Sequence, residues 1–319
     1  MSTTARLPLS TRRSRKQLAV TVVVPVRDGG SRLLDVLQAL ESQTLGGDRF
    51  EVVIGDDGSK DEVAEKLPGG RLNLKVVRGA PANSYVARNR AARAGNGDVL
   101  AFCDADCVPA SDWLEMGLAA LEAADVVVGD IRWEVPAAPT SWTLLDIEMH
   151  VNPAAAVKSG RCLGGNLFVK RDLFERVGGF DESLPSGGDD DFGARCVRVG
   201  ARLVFAPSSS VAHPTHNRAE PLLRKVWRVN YATGVREGRI GTRPRLLRLW
   251  LVPTVGMIRS RRRIGRSLSL DQGRLAAAGA HPGWLTRARA LALLYLVIPY
   301  VGRIARSAGQ RKGRSEPKS

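Results

Sequence analysis

Aromatic side chains make up only 5% of this 319-residue chain, and cysteine occurs four times, at Cys103, Cys107, Cys162 and Cys196. So few cysteines in a chain this long exclude a disulfide-stapled scaffold. Their spacing fits no zinc-ligand pattern, so all of them read as reduced thiols. No apolar run reaches the roughly 18 to 20 residues of a transmembrane helix. A secretory leader is not expected either: Arg12, Arg13, Arg15 and Lys16 precede a short apolar stretch that runs into Arg27-Asp28-Gly29-Gly30 without a small-residue cleavage pattern. The expected compartment is the reducing cytoplasm. No Gly-rich phosphate fingerprint follows the first apolar stretch, which removes the dinucleotide-binding and P-loop readings.

Acid is nearly missing from the C-terminal third. Residues 218–319 hold 23 Lys/Arg against four Asp/Glu, a net +19, whereas residues 20–217 hold 20 against 28, a net −8. Residues 1–19 hold five basic residues and no acid, so the overall +16 belongs to an acidic body with basic ends. Such asymmetry points to a polyanionic partner for the C-terminal third, an anionic membrane surface or nucleic acid. A merely solvated surface is the bland alternative.

Apolar content of 44% suffices for a core of one large or two modest domains. Residues 18–24, 50–55, 72–77, 99–103 and 126–128 read as strands, the first a β-branched run fit for burial on both faces. Between them lie helical patterns: Leu33, Val36, Leu37 and Leu40 with Ser31 as N-cap, residues 83–94 closed by Gly95, and Leu114, Leu118 and Leu121 in a helix opened by Ser111. This alternation predicts an α/β fold with a mostly parallel sheet flanked by helices, its ligands at the carboxyl ends of the strands. Those ends carry acid: Asp28, then Asp56-Asp57-Gly58-Ser59, then Asp104-Ala105-Asp106. Asp104 and Asp106, two residues apart, face the same way in extended backbone and offer the hard oxygens that Mg²⁺ or Mn²⁺ prefer.

In order and spacing these motifs resemble a family 2 glycosyltransferase of the GT-A fold, over roughly residues 19–217. Residues 22–28, Val-Val-Val-Pro-Val-Arg-Asp, resemble the opening nucleotide-binding strand and loop. Asp56-Asp57-Gly58-Ser59 is similar to the family's D-D-G-S, Ala87-Arg88-Asn89 to its A-R-N, and Phe102-Cys103-Asp104-Ala105-Asp106 to its F-L-D-A-D. Gly178-Gly179-Phe180-Asp181-Glu182 is similar to its G-G-F-D-E, where Gly178 also suits a left-handed helix stop. Gly188-Asp189-Asp190-Asp191-Phe192-Gly193-Ala194-Arg195 resembles E-D-x-D-L-x-x-R, with Gly188 in place of Glu.

The resemblance implies a donor site of Pro25, Arg27, Asp57, Arg88 and Asp104, with Asp57 on the base and Arg27 available to stack where relatives often carry an aromatic. It implies that Asp106 ligates Mg²⁺ or Mn²⁺, with His213 a candidate further ligand, and that Asp189 is the catalytic base, with Asp190 the runner-up. Gly165, Asn166 and Asp191 fall on the acceptor side, and Trp133 or Trp142 are candidate sugar platforms or core residues. The implied reaction is inverting transfer from a nucleoside-diphosphate sugar, with UDP favoured, to a hydroxyl of a lipid-linked or polysaccharide acceptor. A carboxylate is what such a reaction needs to deprotonate the attacking alcohol. A sugar-nucleotide nucleotidyltransferase is disfavoured, because no basic Gly-rich loop follows strand one. Nucleic-acid binding would leave the acidic strand ends unexplained.

The expected organisation is a basic flexible tail (1–18), a catalytic domain (19–217) with nucleotide-sugar (19–130) and acceptor (131–217) halves, a basic helical region (218–306) and a disordered tail (307–319). Arg224, Lys225, Trp227 and Arg228 open the basic region; its apolar segments 246–253 and 290–301, edged by arginines and containing Pro253 and Pro299, are short for spanning. Apolar helices edged by Arg suit the plane of an anionic interface. Peripheral attachment to the inner face of the cell membrane is therefore expected, with packing of these helices on the catalytic body as the alternative.

Overall fold

A β-branched run has no solvent side when both faces are covered, and β1 (Val20–Val26) is buried along its whole length. The computed structural model describes residues 19–61, 70–239 and 283–315. After β1, α1 (Gly30–Glu41) buries Leu33, Val36, Leu37 and Leu40, the face their spacing predicts. Its N-cap is Gly29, not the expected Ser31, which lies inside the first turn. β2 (Phe50–Asp56), β3 (Leu74–Arg78), α2 (Ser84–Ala94), β4 (Val99–Cys103) and β5 (Val108–Pro109) follow. Asn83 caps α2 by accepting the N–H groups of Tyr85 and Val86. α3 (Trp113–Leu121) begins two residues after the expected Ser111. β6 (Val126–Glu134) runs well past the three valines that announce it. Then come α4 (Ser141–Met149), α5 (Pro153–Lys158), β7 (Asn166–Lys170), α6 (Arg171–Arg176), α7 (Gly188–Arg198) and β8 (Leu203–Pro214). α6 ends at Gly178 with φ +81°, the left-handed stop its sequence predicts.

The eight strands form one sheet in the order β3-β2-β1-β4-β7-β6-β8-β5. The run β3-β2-β1-β4 is parallel, as is β6–β8, while β7 enters antiparallel between β4 and β6. The two expected halves, 19–130 and 131–217, thus share a sheet, and β7 is the seam. One apolar layer packs α1 and α3 on the sheet around Leu33, Phe50, Trp113 and Phe168. The other packs α2, α6 and α7 around Phe102, Phe174, Phe180 and Phe192. Parallel strands end on the same edge, so Asp28, Asp56-Asp57 and Asp104-Asp106 are delivered together there.

The basic C-terminal helices are α8 (Ala219–Arg239), α9 (Trp284–Ala292) and α10 (Ile298–Ser315), with a π-helical turn (Leu293–Val297) joining the last two. The π turn immediately precedes Pro299, and the helix continues through it. α10 runs to Ser315, so residues 307–315 are helical where a disordered tail (307–319) was expected. The segment 246–253 and residues 1–18 lie outside the described residues. α8 and α10 run parallel, Gly302 meeting Asn230, Gly234 meeting Arg306 and Gly238 meeting Gln310. Glu237, one of the few acids of this region, accepts hydrogen bonds from Arg306 and from Gln310 Nε2. Leu144, Leu145 and Ile147 of α4 bury with Leu222 of α8 and Ala290 of α9, so these helices are packed on the body. Among the described residues no helix is long and apolar enough to cross a membrane.

The parallel pair depends on absent side chains. A Cβ on Gly234 would stand 2.1 Å from the Arg306 carbonyl oxygen. Gly234→Val is therefore expected to cost about 3 kcal/mol by overpacking and to raise hydrogen exchange in α8 and α10 before the sheet. Uniform exchange in the variant would show that the two helices do not depend on this contact.

Candidate active site

The loop after β2 is built by Asp56 and presents Asp57. Asp56, fully buried, accepts the N–H (2.8 Å) and hydroxyl (2.6 Å) of Ser59, folding Asp56-Asp57-Gly58-Ser59 into a turn that requires φ +77° at Gly58. Asp57 accepts the Ala82 N–H at 2.8 Å and lies 3.8 Å from the half-exposed Arg27 guanidinium. A cleft of about 530 Å³ opens here, lined by Pro25, Arg27, Asp57, Ser84, Ala87 and Arg228 among others. Pro25, Arg27 and Asp57, expected at the donor, thus share one cavity. The half-exposed Arg27 guanidinium leans toward Asp57.

α2 connects this cleft to the metal motif and to the proposed base. Arg88 is buried and ion-pairs with Asp104, while Nη1 donates to Ser84 Oγ at 3.1 Å. Burial alone would lower its pKa, but Asp104 and Asp189 together raise it, so the guanidinium stays charged. Asn89 has a different task from its motif neighbour. Its amide donates to the Phe180 carbonyl (2.8 Å) and the Glu182 carboxylate (2.9 Å) and accepts the Phe180 N–H (2.9 Å). It ties the Gly178-Gly179-Phe180-Asp181-Glu182 segment to α2.

Asp106 Oδ2 lies 3.9 Å from His213 Nε2, and Asp106, Cys107 and His213 can bring ligand atoms within 4.8 Å of one another. Burial pushes the Cys107 thiol far up, with Asp104 adding to it, and soft sulfur is a poor match for a hard cation. Carboxylate oxygen and imidazole nitrogen remain, a donor set that fits Mn²⁺ or Mg²⁺. His213 is held edge-on by Trp133 at 5.4 Å, and Trp133 in turn meets His150 at 4.3 Å. Trp133 therefore backs a candidate ligand, and Trp142 packs against the α4–α9 cluster.

Asp189 sits in the first turn of α7, where the helix dipole favours negative charge. Its Oδ2 accepts the Gly164 N–H at 3.2 Å and its Oδ1 faces the Tyr85 hydroxyl at 3.4 Å. Burial, then Asp189, pushes the Tyr85 phenol up to about 12, so it remains a donor toward that carboxylate. A Cβ on Gly188 would stand 2.8 Å from the Tyr85 ring, which explains why Gly occupies the position where the family often has Glu. Tyr85 was missed from the sequence, because only the fold brings α2 against α7. Asp190 points to Arg161 at 3.9 Å, and burial followed by Asp189 pushes its carboxyl up. Asp191 is engaged by Arg195 at 2.8 Å, one helical turn on.

Of the expected acceptor side, Gly165 abuts the metal motif: a Cβ there would meet Asp104 Oδ2 at 3.0 Å. Asn166 is corrected. It is fully buried, accepting from Trp113 Nε1 (2.9 Å) and donating to the Asp130 (2.9 Å) and Ser209 (3.0 Å) carbonyls. It holds the sheet seam instead of facing a ligand. Three of the acids are tied to α2 or its entry: Asp57 accepts the Ala82 N–H and lines the cleft with Ser84 and Ala87, Asp104 pairs with Arg88, and Asp189 faces Tyr85.

α8 is clamped to α4 by Lys225, which donates to the fully buried Asp146 at 2.9 Å, with the His216 N–H on the other oxygen at 2.9 Å. Burial pushes the Asp146 carboxyl up, but Lys225 and His216 outweigh it and the group ends below the usual range. Its stabilising effect is complete above the unfolded carboxylate pKa of about 3.9 and is lost as pH falls through the lower folded value. Lys225→Met is expected to cost about 3 kcal/mol in urea unfolding, because an unpaired buried charge remains. The double change Lys225→Met, Asp146→Asn should recover much of it, and a purely additive double variant would refute the pairing.

Residues 21–178 match the model of Glycosyl transferase family 2. The chain is 32% identical over 222 residues to glycosyltransferase AglE of Haloferax volcanii, covering 66% of this chain and 71% of that protein. It is 30% identical over 209 residues to pre-mycofactocin glycosyltransferase of Mycobacterium tuberculosis, covering 61% of this chain and 42% of that longer protein. Among solved structures it resembles mannosyltransferase PcManGT from Pyrobaculum calidifontis in complex with GDP-Man and Mn²⁺, with TM-score 0.56, 21% identity and 92% and 86% of the two chains covered. S. aureus TarS 1-349 in complex with UDP-GlcNAc gives TM-score 0.53 at 17% identity, covering 93% and 90%. At these identities the structural likeness speaks for the fold, a mostly parallel GT-A sheet flanked by helices.

Proposed function

Because this chain belongs to glycosyltransferase family 2 and is a nucleotide-sugar-dependent glycosyltransferase, we propose that it carries out an inverting, metal-dependent transfer to a hydroxyl of a lipid-linked or polysaccharide acceptor. The observation carrying this reading is the contiguity, around α2, of the Asp57 cleft, the Asp104–Arg88 pair and Asp189. Pro25, Arg27 and Asp57 bind the nucleoside end of the donor, with uridine favoured. Arg88 orients Asp104 toward the ribose. Asp106 and His213 would hold the Mg²⁺ or Mn²⁺, whose charge neutralises the departing diphosphate. Asp189, steadied by the Gly164 N–H and the Tyr85 hydroxyl, takes the proton from the acceptor alcohol as its oxygen attacks the anomeric carbon. One base and one direct displacement give inversion.

The C-terminal helices support the acceptor class and the location proposed here. Trp227, Val229, Tyr300 and Ile304 are exposed on α8 and α10 amid a strongly basic segment, which supports peripheral attachment to an anionic membrane on the cytoplasmic side. Nucleic acid is disfavoured as a partner, since the acidic strand ends would repel its phosphates. Diphosphate release from a panel of nucleotide sugars, with and without lipid-linked acceptors, tests the reading; no release from any UDP- or GDP-sugar would end it. Vesicle flotation at about 200 mM salt separates the partners, because nucleic-acid affinity collapses there while attachment through buried apolar side chains persists.

A further inference from the structure

α8 lies beyond residues 21–178, the part of the chain that matches the family model, yet Arg228 of α8 lines the cleft that contains Asp57. Neighbouring cations on the helix are neutralised: Arg224 by Glu220, one turn back, and Lys225 by Asp146. Arg228 has no ion pair or hydrogen bond among the described residues, and Arg27, the other cation of the cleft, leans on Asp57. The cleft wall also contains the N-terminus of α2, where a phosphate would ordinarily find free N–H groups. Here Asn83 already accepts the N–H of Tyr85 and of Val86, so that anion site is closed. On the far side Arg228 is near enough to Tyr85 to favour its ionised form, and Tyr85 faces Asp189. Arg228 is thus a cation on the wall of the cleft that contains Asp57, carried by a helix outside the family match.

We propose that Arg228 binds the diphosphate of the nucleotide-sugar donor, so that the basic C-terminal region completes the active site. The assignment rests on the reading of the cleft as the donor site. A planar guanidinium offers a phosphate two parallel hydrogen bonds, and its charge meets the negative charge that gathers on the diphosphate as the sugar departs. The buried Lys225–Asp146 pair, one turn before Arg228, sets where that guanidinium lies.

The test titrates UDP, GDP, UMP and GMP, each with Mn²⁺, into the full-length chain and its Arg228→Gln, Arg228→Lys and Arg224→Gln variants. Arg228→Gln should weaken the better-bound diphosphate by about 10- to 100-fold while changing the monophosphate far less. Arg228→Lys, which keeps the charge, should recover part of the loss, and Arg224→Gln should match the wild type. Undiminished diphosphate affinity in Arg228→Gln overturns the assignment, as does an equal loss for mono- and diphosphates. Should Arg228→Gln fail to fold, the same comparison on Arg228→Lys decides, since undiminished preference for diphosphate with a lysine-sized change in reach contradicts a bidentate contact. A wild-type chain that binds none of the four nucleotides removes the donor-site reading itself.

Discussion

Asp189→Asn should lower kcat by about 100- to 10,000-fold, the usual weight of a general base, while the affinity for nucleoside diphosphate is kept. Asparagine preserves the volume and can still accept the Gly164 N–H at the start of α7, so the fold and the donor cleft have no reason to change. What is lost is the basic carboxylate, since an amide oxygen still accepts a hydrogen bond but is too weak a base to take the acceptor proton. The neighbouring Asp190 is the natural control. It faces Arg161 and not Tyr85 or Gly164, so Asp190→Asn should reduce turnover much less. Single-turnover transfer with the matched donor, alongside titration of the diphosphate product, reads both quantities. Normal turnover in Asp189→Asn together with a dead Asp190→Asn would move the base by one residue.

The second large effect is expected at the metal motif. Asp106→Ala should abolish the Mn²⁺-dependent part of nucleoside diphosphate binding, a loss of about 100-fold or more given several kcal/mol of charge neutralisation. His213→Ala should lose less, because it keeps the carboxylate. Asp106 and His213 come from the ends of β4 and β8, and only their approach to 3.9 Å makes them partners. Calorimetric titration with Mn²⁺ and with EDTA separates metal-dependent from metal-independent affinity. Diphosphate binding by Asp106→Ala that matches the wild type in Mn²⁺ and falls with EDTA as the wild type's does would remove Asp106 from the ligand set.

How much of this was legible beforehand differs by residue. Asp56 and Asp57 are adjacent, and their motif identified both as special, but their division of labour needed coordinates: Asp56 builds the turn and Asp57 lines the cleft. Asn89 was legible as a motif member, and its task as a brace for Phe180 and Glu182 was not. Asn166 was placed on the wrong side because an amide beside two glycines looks like a binding group. The strand carries it into the sheet, where three buried backbone and indole groups claim it. The basic C-terminal helices were read through their net charge, which reports a preference for anions but not where they sit.

Local pattern sufficed for whatever is local. Strand burial, the α1 face, the Gly178 stop and the delivery of acids to strand ends follow from side-chain period and backbone preference over a few residues, and these the amino-acid order determined alone. Tertiary structure decided the pairings across long stretches of chain: Tyr85 with Asp189, Asp106 with His213, Asp146 with Lys225, and Arg228 with the cleft. The reason is physical. Each such pairing depends on which strand inserts where in the sheet and how helices seat on it, and these are settled by burial of the whole core, which no window along the chain contains.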